Sequence, residues 1–298
     1  MKIRTILLRL AAVPLAAALL CGCAGDKKPT EPTDVPNDVP VKGTEIHVLS
    51  LGKADCILIL ADGEAMLIDT GYREQGDRIV GYLKELGVKQ LKYVVLTHGD
   101  KDHIGGMEKV LRSFSVGQVF LSPKKESSSE YRAMAAALTD TGTPYSFPEL
   151  LTQFTLGKGV FTVLGPGEKA LKDGSDNDAS LVLRYTYGNR SALFMGDALK
   201  KTEKEMQDNG YELQAEILKI GHHGREDATQ KKFIKSVAPE YAVICCGNSI
   251  GDDEKGEPDA DVLRVLPSFS VNVYRTDEKG TVVFASDGDM NWEVRTEQ

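Results

Sequence analysis

Two imidazoles and two carboxylates lie within residues 97–106, and this clustering constrains the chain more than any other feature. The segment reads Thr-His-Gly-Asp-Lys-Asp-His-Ile-Gly-Gly and directly follows the apolar, β-branched residues 91–96. The apolar run predicts a buried strand, so the polar side chains would lie in the turn at its C-terminal end. The candidate ligands are His98, Asp100, Asp102 and His103. Histidines and acids concentrated at a strand end indicate a metal site rather than a solvated turn.

Three further apolar runs end in polar groups. They are residues 67–71 with Asp69, residues 194–197 with Asp197, and residues 220–224 with His222 and His223. Four of the five histidines in the chain belong to segments 97–106 and 220–224. A Gly-Asp turn after a strand is common and usually structural, so Asp197 becomes a candidate ligand only together with the histidine motifs.

The chain begins with a segment typical of a secretory signal peptide, residues 1–22. Basic residues precede an apolar stretch at positions 10–20, which is shorter than the roughly 20 residues that cross a bilayer. Residues 20–23 read Leu-Cys-Gly-Cys and resemble a bacterial lipobox, which predicts cleavage before Cys23 and lipid on its sulfur. An ordinary signal peptide, cut nearby without lipid, is the alternative.

The composition of residues 23–42 predicts a disordered tether, because Pro, Asp, Lys and Thr dominate and little can be buried. The folded domain would then comprise residues 43–298, held by lipid on the outer side of the cytoplasmic membrane. A net charge of −8 disfavours a broad polyanion-binding surface, although it is compatible with a local basic strip. Cys56, Cys245 and Cys246 lie in apolar runs and predict buried thiols rather than a disulfide framework.

Strand-like and helical patterns alternate through the folded part in two successive blocks. Each block contains several strands with intervening helices, and residues 166–177 form a polar, Gly-rich loop between strands. Two such blocks predict an α/β protein in which two sheets pack face to face with helices outside. The four polar motifs would then gather at the strand ends.

These motifs resemble those of the metallo-β-lactamase-fold hydrolases. Within that superfamily, the chain is most similar to the hydrolase domain of competence DNA-uptake channel proteins and their free-standing relatives. The similarity covers about residues 44–285 and rests on segments 47–59, 67–71, 97–106, 177–183, 194–198, 218–224 and 273–277. It implies a single-domain, four-layered αββα sandwich with a metal centre at the rim between the sheets.

The resemblance also implies a set of ligands. His98 and Asp100 would bind a first metal, Asp102, His103 and His222 a second, and Asp197 would bridge them. Asp100 stands where many relatives have histidine, so Asn177 or Asp178 would either add an oxygen ligand or contact substrate, together with Ser180. One or two divalent ions are expected, Zn²⁺ or, at an oxygen-rich first site, Mn²⁺ or Mg²⁺.

Bound metal lowers the pKa of its water from 15.7 toward about 7, so hydroxide is available at neutral pH. Asp102 would orient it. Asp69 is either an acceptor that fixes a ligand imidazole or a turn cap. His223 is expected to point away from the ligands and to act as an acid for the leaving group or as a substrate contact.

The sequence departs from the family at two places. Relatives commonly carry Gly-His-Pro-His where this chain has Gly-Glu-Pro-Asp, so Glu257 and Asp259 replace two histidines. In the opening turn, Ser50, Lys53 and Ala54 replace the usual Asp, Gln and Gly. A carboxylate at either former histidine position would repel a departing oxyanion unless its pKa is raised.

The leading hypothesis is an extracytoplasmic metal-dependent phosphodiesterase or nuclease, with nucleic acid or another phosphodiester as substrate. Hydrolysis of a small ester or lactone is the first alternative. The second is a catalytically weak, metal-containing surface binding protein. The sequence does not identify a protein partner.

Overall fold

The computed structural model describes residues 37, 39, 41–124, 127–248 and 257–297. The predicted signal peptide, Cys23 and most of the predicted tether lie outside these residues. Three described residues of the predicted tether contact the domain: Asn37 accepts hydrogen bonds from the amides of Lys89 and Gln90, Val39 lies in the core, and Val41 packs against it. The folded part therefore begins before Gly43. Among the described residues, no helix has the length and apolarity that a membrane span requires.

The described residues form two sheets. The first has eight strands in the order β15-β14-β1-β2-β3-β4-β5-β6, and the second has seven in the order β13-β12-β11-β10-β9-β8-β7. The strands of the first sheet are β1 Thr44–Val48, β2 Ile57–Ala61, β3 Glu64–Ile68, β4 Gln90–Leu96, β5 Ser115–Leu121, β6 Tyr145–Ser146, β14 Thr281–Ser286 and β15 Glu293–Glu297. Those of the second are β7 Gln153–Leu156, β8 Gly159–Gly165, β9 Val182–Tyr187, β10 Arg190–Phe194, β11 Ile217–Lys219, β12 Tyr241–Ile244 and β13 Asn272–Arg275.

Helices cover the outer face of each sheet. They are α1 Gly76–Glu85, α2 Lys101–Ile104, α3 Met107–Ser113, α4 Ser129–Thr141, α5 Glu168–Asp173, α6 Lys200–Asp208, α7 Lys231–Val237, α8 Ala260–Ser268 and α9 Thr276–Lys279. Helix α1 buries Ile79, Val80 and Leu83, a spacing that places them on one face. Helix α4 begins where the Ser128 hydroxyl accepts from the Tyr131 amide, and it ends at Gly142 with φ 65°.

Three apolar clusters define the layers. Side chains such as Ile59, Phe161 and Phe284 fill the space between the sheets. A second cluster joins the first sheet to α1, α3 and α4, and a third joins the second sheet to α6, α7 and α8. Strand β2 is buried throughout, because both faces of its sheet are covered. The predicted four-layered αββα sandwich is confirmed.

Strand direction brings the polar motifs to one edge. Strands β3, β4 and β5 are parallel, and so are β10, β11, β12 and β13. Parallel strands end at the same side of a sheet. As a result, contacts form at one rim between the two sheets among the segments that follow β3, β4, β10, β11 and β12. The loop predicted at residues 166–177 contains α5, because the buried Glu205 carboxylate accepts from the amides of Lys169 and Ala170 at its first turn.

Candidate metal centre

Asp69 organises the centre from the end of β3. Its Oδ1 accepts from the Thr97 amide at 2.8 Å, and its Oδ2 accepts from the Thr97 hydroxyl at 2.7 Å and from His103 Nδ1 at 2.8 Å. All three side chains are fully buried. Of the two roles left open by the sequence, Asp69 therefore takes that of the imidazole acceptor.

Two glycines allow the ligand loop to pack against the turn that follows β3. A Cβ on Gly106 would lie 2.3 Å from the Thr70 carbonyl oxygen, and one on Gly105 would lie 2.5 Å from the Arg73 amide nitrogen. Neither backbone atom can move without displacing the chain. The Gly-Gly pair at the end of the motif is therefore required for the position of α2, which carries Asp102 and His103.

The other two inward-facing histidines are oriented through Nδ1 in the same way. His98 Nδ1 donates to the Thr97 hydroxyl at 3.1 Å and lies 3.4 Å from the Ser180 hydroxyl. His223 Nδ1 donates to the Cys245 carbonyl at 3.0 Å. These partners place the proton on Nδ1 and leave Nε2 as an acceptor, which is the tautomer that binds a metal through Nε2.

The Asp197 carboxylate lies between the three Nε2 atoms. Its Oδ1 is 3.3 Å from His103 Nε2, and its Oδ2 is 3.8 Å from His98 Nε2 and 3.5 Å from His223 Nε2. The Asp197 amide donates to the Ser180 hydroxyl at 3.1 Å. This central position suits a bridging carboxylate.

Two more carboxylates flank this group. Asp100 Oδ2 lies 3.5 Å from His98 Nε2, and Asp102 Oδ2 lies 3.4 Å from His223 Nε2. Asp102 is close to the solvent boundary at 13% exposure, and Asp100 is more exposed at 44%. The donor atoms thus divide into a side with His98 and Asp100 and a side with Asp102 and His223.

Unpartnered buried atoms test whether these residues fit a metal ion. His98 Nε2, His103 Nε2, His223 Nε2 and Asp197 Oδ1 are all buried without a hydrogen-bond partner. A buried polar atom without a partner is costly, and four in one place need a common explanation. A divalent cation bound by imidazole nitrogens and carboxylate oxygens satisfies all four, and the groupings His98–His103–Asp197 and Asp102–His103–His223 have the required proximity.

The electrostatics also favour a cation at this point. Burial alone would lower the pKa of His103, but the carboxylates of Asp197 and Asp69 outweigh burial and raise that pKa well above its usual value. Burial would raise the pKa of Asp102, yet the imidazoles of His223 and His103 lower it to about 2. The pKa of Asp197 is likewise held well below its usual value, against burial, by His103 and His223. The carboxylates stay ionised and attract positive charge.

His222 lies outside this group, which corrects the sequence prediction. Its Nδ1 donates to Asp227 at 2.8 Å, and its Nε2 accepts from the Asn177 amide group at 3.0 Å, so neither nitrogen is left for a metal. The fully buried neighbour, His223, faces the carboxylates instead, and the prediction that it points away is wrong. Both residues have left-handed backbones, with φ 47° and 52°, so the alternation of extended residues does not apply here.

The segment after α5 does not add a ligand. Asn177 lies at the rim against His222, while Asp178 turns back and accepts from the Ser175 hydroxyl. Ser180 is fully buried, where its hydroxyl supports His98 and Asp197. The predicted substrate contact is compatible with the position of Asn177 but does not fit the burial of Ser180.

A family comparison agrees with this geometry. The sequence profile of the metallo-beta-lactamase superfamily matches residues 49–248. The chain belongs to the metallo-beta-lactamase superfamily. The predicted family is confirmed, and the chain has the fold of the metal-dependent hydrolases of this superfamily together with His/Asp groups that could bind metal.

Three relatives illustrate the similarity. The chain is 29% identical over 258 residues to ComE operon protein 3 of Bacillus subtilis, covering 80% of this chain and 33% of that protein. It is 28% identical over 251 residues to competence protein ComA of Neisseria gonorrhoeae, covering 84% and 33%. The structure of Igni18, a metallo hydrolase from Ignicoccus hospitalis, superposes with a TM-score of 0.53 at 15% identity, covering 81% of this chain and 99% of that one. The chain thus spans about a third of these two curated relatives, and the Igni18 likeness concerns the fold.

A buried ion pair lies next to His223 of the metal centre, and the sequence motifs did not predict it. Lys219 Nζ lies 2.7 Å from Asp55 Oδ2 and donates to the Ile220 carbonyl, and both charged side chains are almost fully buried. Burial would lower the pKa of Lys219, but Asp55 outweighs it and raises that pKa. Asp55 Oδ1 is 3.6 Å from His223 Nδ1. A lysine at the end of the apolar strand β11 was the available sequence signal.

The two departures from the superfamily pattern meet in space. Lys53 Nζ lies 3.2 Å from Glu257 Oε1, and Arg225 Nη1 lies 3.1 Å from the same oxygen. Asp259 accepts from the Glu226 amide at 2.7 Å. The Glu257 charge is therefore compensated by two cations, and the Asp259 carboxylate holds the segment that follows the histidine turn.

The adjacent histidines provide a matched test of the metal assignment. We expect His223→Ala to lose metal, because it removes an inward-facing Nε2, whereas His222→Ala should retain it. At a metal concentration about 1,000-fold above Kd, binding should stabilise the wild type and His222→Ala by about 4 kcal/mol. Elemental analysis and melting with and without added metal measure both effects. Metal loss in His222→Ala with retention in His223→Ala would reverse the assignment.

Proposed function

We propose that this chain is a phosphodiesterase that works at a divalent metal centre outside the cytoplasm. The convergence of four buried, unpartnered ligand atoms from three histidines and one aspartate carries the proposal. Flanking carboxylates on both sides fit a centre for one or two ions. The proposed ligands are His98, Asp100, Asp102, His103, Asp197 and His223.

The residues around the metal centre have distinct roles in the proposed reaction. When bound, a divalent metal supplies a water whose pKa is lowered toward about 7. Asp102, ionised and near the solvent boundary, orients the attacking oxygen. Asp69 and the Cys245 carbonyl fix the imidazoles of His103 and His223. Neither of the roles expected for His223, leaving-group acid or substrate contact, fits this position, because its Nδ1 donates to the Cys245 carbonyl and its Nε2 faces the carboxylates.

The donor atoms also support a proposal about metal identity. On the side of His98, the carboxylates of Asp197 and the neighbouring Asp100 add oxygen donors to the imidazoles of His98 and His103, and such oxygen donors suit Mn²⁺. On the side of Asp102, the imidazoles of His103 and His223 suit Zn²⁺. We therefore infer a centre that works with Mn²⁺ and also binds Zn²⁺.

The substrate proposal rests on the relatives and on local charge. One curated relative is named a competence protein, and the similarity extends over 84% of this chain. The cations Lys53 and Arg225 lie next to segments that carry the metal ligands, which suits an anionic substrate. We infer a phosphodiester, with nucleic acid as the preferred source.

Hydrolysis of an activated diester tests the proposal. The purified protein should cleave bis(p-nitrophenyl) phosphate faster with added Mn²⁺ than with chelator. Asp102→Asn should lower kcat by ~10²- to 10⁴-fold, the usual effect of losing a positioned acid or base group. Asp77→Asn on α1, where the carboxylate is 84% exposed, is the matched control and should keep wild-type activity.

Two outcomes would contradict the phosphodiester proposal. Turnover of p-nitrophenyl esters or lactones, with every phosphodiester left intact, would instead support the acyl hydrolase. A metal-loaded protein that cleaves none of these substrates would support the binding protein.

We also propose that lipid on Cys23 holds the protein to the outer side of the cytoplasmic membrane. The lipobox-like residues 20–23 and the polar segment that follows them motivate this placement. Cys23→Ala should move the protein from the membrane fraction to the soluble fraction, while Cys21→Ala should not. Wild-type protein without a lipid adduct by mass spectrometry would refute the anchor.

A further inference from the structure

Three charged side chains form a cluster at the edge of the metal centre. Glu257 Oε1 forms ion pairs with Lys53 Nζ, at 3.2 Å, and with Arg225 Nη1, at 3.1 Å. The exposed fractions of the Lys53 and Glu257 side chains are only 18% and 12%, whereas that of Arg225 is 42%. The cluster is thus partly desolvated and opens to solvent through the guanidinium.

Backbone hydrogen bonds fix both cations relative to the metal ligands. Lys53 precedes Asp55 by two residues, and the Asp55 amide donates to the Asp102 carbonyl at 3.1 Å. Arg225 follows His223 by two residues, and the Gly224 carbonyl accepts from the Asp259 amide at 3.0 Å. The cluster therefore borders the Asp102 and His223 side of the centre.

The cluster has an excess positive charge and N–H donors that Glu257 does not use. Two cations and one carboxylate leave one net positive charge. Arg225 has five N–H donors and Lys53 has three, and Glu257 uses one from each. A guanidinium already held by a carboxylate loses less conformational freedom when it binds a second anion.

We propose that Lys53 and Arg225 form an anion subsite for a second phosphate of the substrate, and that Glu257 sets its charge to match one phosphodiester. The favoured substrate would then be a strand or oligonucleotide rather than an isolated diester. This assignment rests on the proposed function for the phosphate at the metal centre, but the subsite itself can be tested by binding alone.

Binding of a fluorescein-labelled thymidine tetranucleotide tests the subsite on the metal-loaded protein. Anisotropy is read within seconds of mixing, and mass spectrometry quantifies the intact probe. Lys53→Ala and Arg225→Ala should each raise Kd about tenfold, the scale of one charge-assisted hydrogen bond. Arg264→Ala, which removes a guanidinium that is 76% exposed and paired with Asp261 on α8, should bind like the wild type. Unchanged Kd in both cluster variants would overturn the proposal.

The sign of a third variant separates an anion subsite from a structural ion pair. Glu257→Gln raises the net charge of the cluster from one to two positive charges, so it should lower Kd at low salt, and the gain should fade as salt is added. A merely structural cluster predicts weaker binding in all three variants, together with lower melting temperatures. Arg225→Lys should restore part of the lost affinity, because it keeps the charge.

Kinetics distinguish failure of the subsite from failure of the proposed function. Arg225→Ala should lower kcat/KM for a p-nitrophenyl ester of a thymidine dinucleotide about tenfold more than it lowers kcat/KM for bis(p-nitrophenyl) phosphate, which has no second phosphate. Equal losses on both substrates would contradict a second-phosphate subsite. If the wild type cleaves neither substrate but the binding pattern holds, the proposed function fails and the subsite remains.

Discussion

Four buried atoms without hydrogen-bond partners, at the junction of the two sheets, are the constraint on which the site depends. Three are imidazole nitrogens and one is a carboxylate oxygen, and all are turned toward the same small volume. Leaving such atoms unpaired costs free energy that a marginally stable domain does not have to spare. Ligation of a cation removes this cost, so folding and metal binding at this rim are linked.

The surrounding protein makes the unpaired arrangement possible because it provides a hydrogen-bond partner for the Nδ1 atom of each of these imidazoles. Asp69 accepts from Nδ1 of His103. The Thr97 hydroxyl accepts from Nδ1 of His98, and the Cys245 carbonyl accepts from Nδ1 of His223. Below them, the buried Lys219 balances the charge of Asp55. Removing one partner of such a pair leaves an isolated buried charge, which makes this support as important to the site as the ligands.

The sequence predicted much of this arrangement because its signals are local. An apolar run followed by alternating histidines and acids determines a strand, its end and a ligand loop, and the family resemblance supplied the layers. The sequence could not show that His223, rather than His222, faces the metal centre. Both residues have left-handed backbones, which reverse the side-chain directions expected of an extended segment. The cap on α5 from Glu205 was missed because its partners are distant in the chain.

Contacts between distant segments also explain the departures from the superfamily pattern. Lys53 and Glu257 each differ from the residue that relatives carry at that position. From the sequence alone, a carboxylate at position 257 was expected to repel the departing oxyanion. In space the two residues form one ion pair, with Arg225 as a second cation. The Glu257 carboxylate is therefore compensated by two cations, which only the folded structure reveals.

The most direct test of the metal centre is anomalous diffraction from crystals of the folded domain grown with Mn²⁺ or Zn²⁺. The account predicts an anomalous peak between the Asp197 carboxylate and the imidazoles of the centre, with His223 Nε2 at a zinc–nitrogen distance of about 2.1 Å in the zinc crystals. His222 should keep its hydrogen bonds to Asp227 and Asn177. A peak bound to His222, or metal-soaked crystals without a peak at Asp197, would contradict the account.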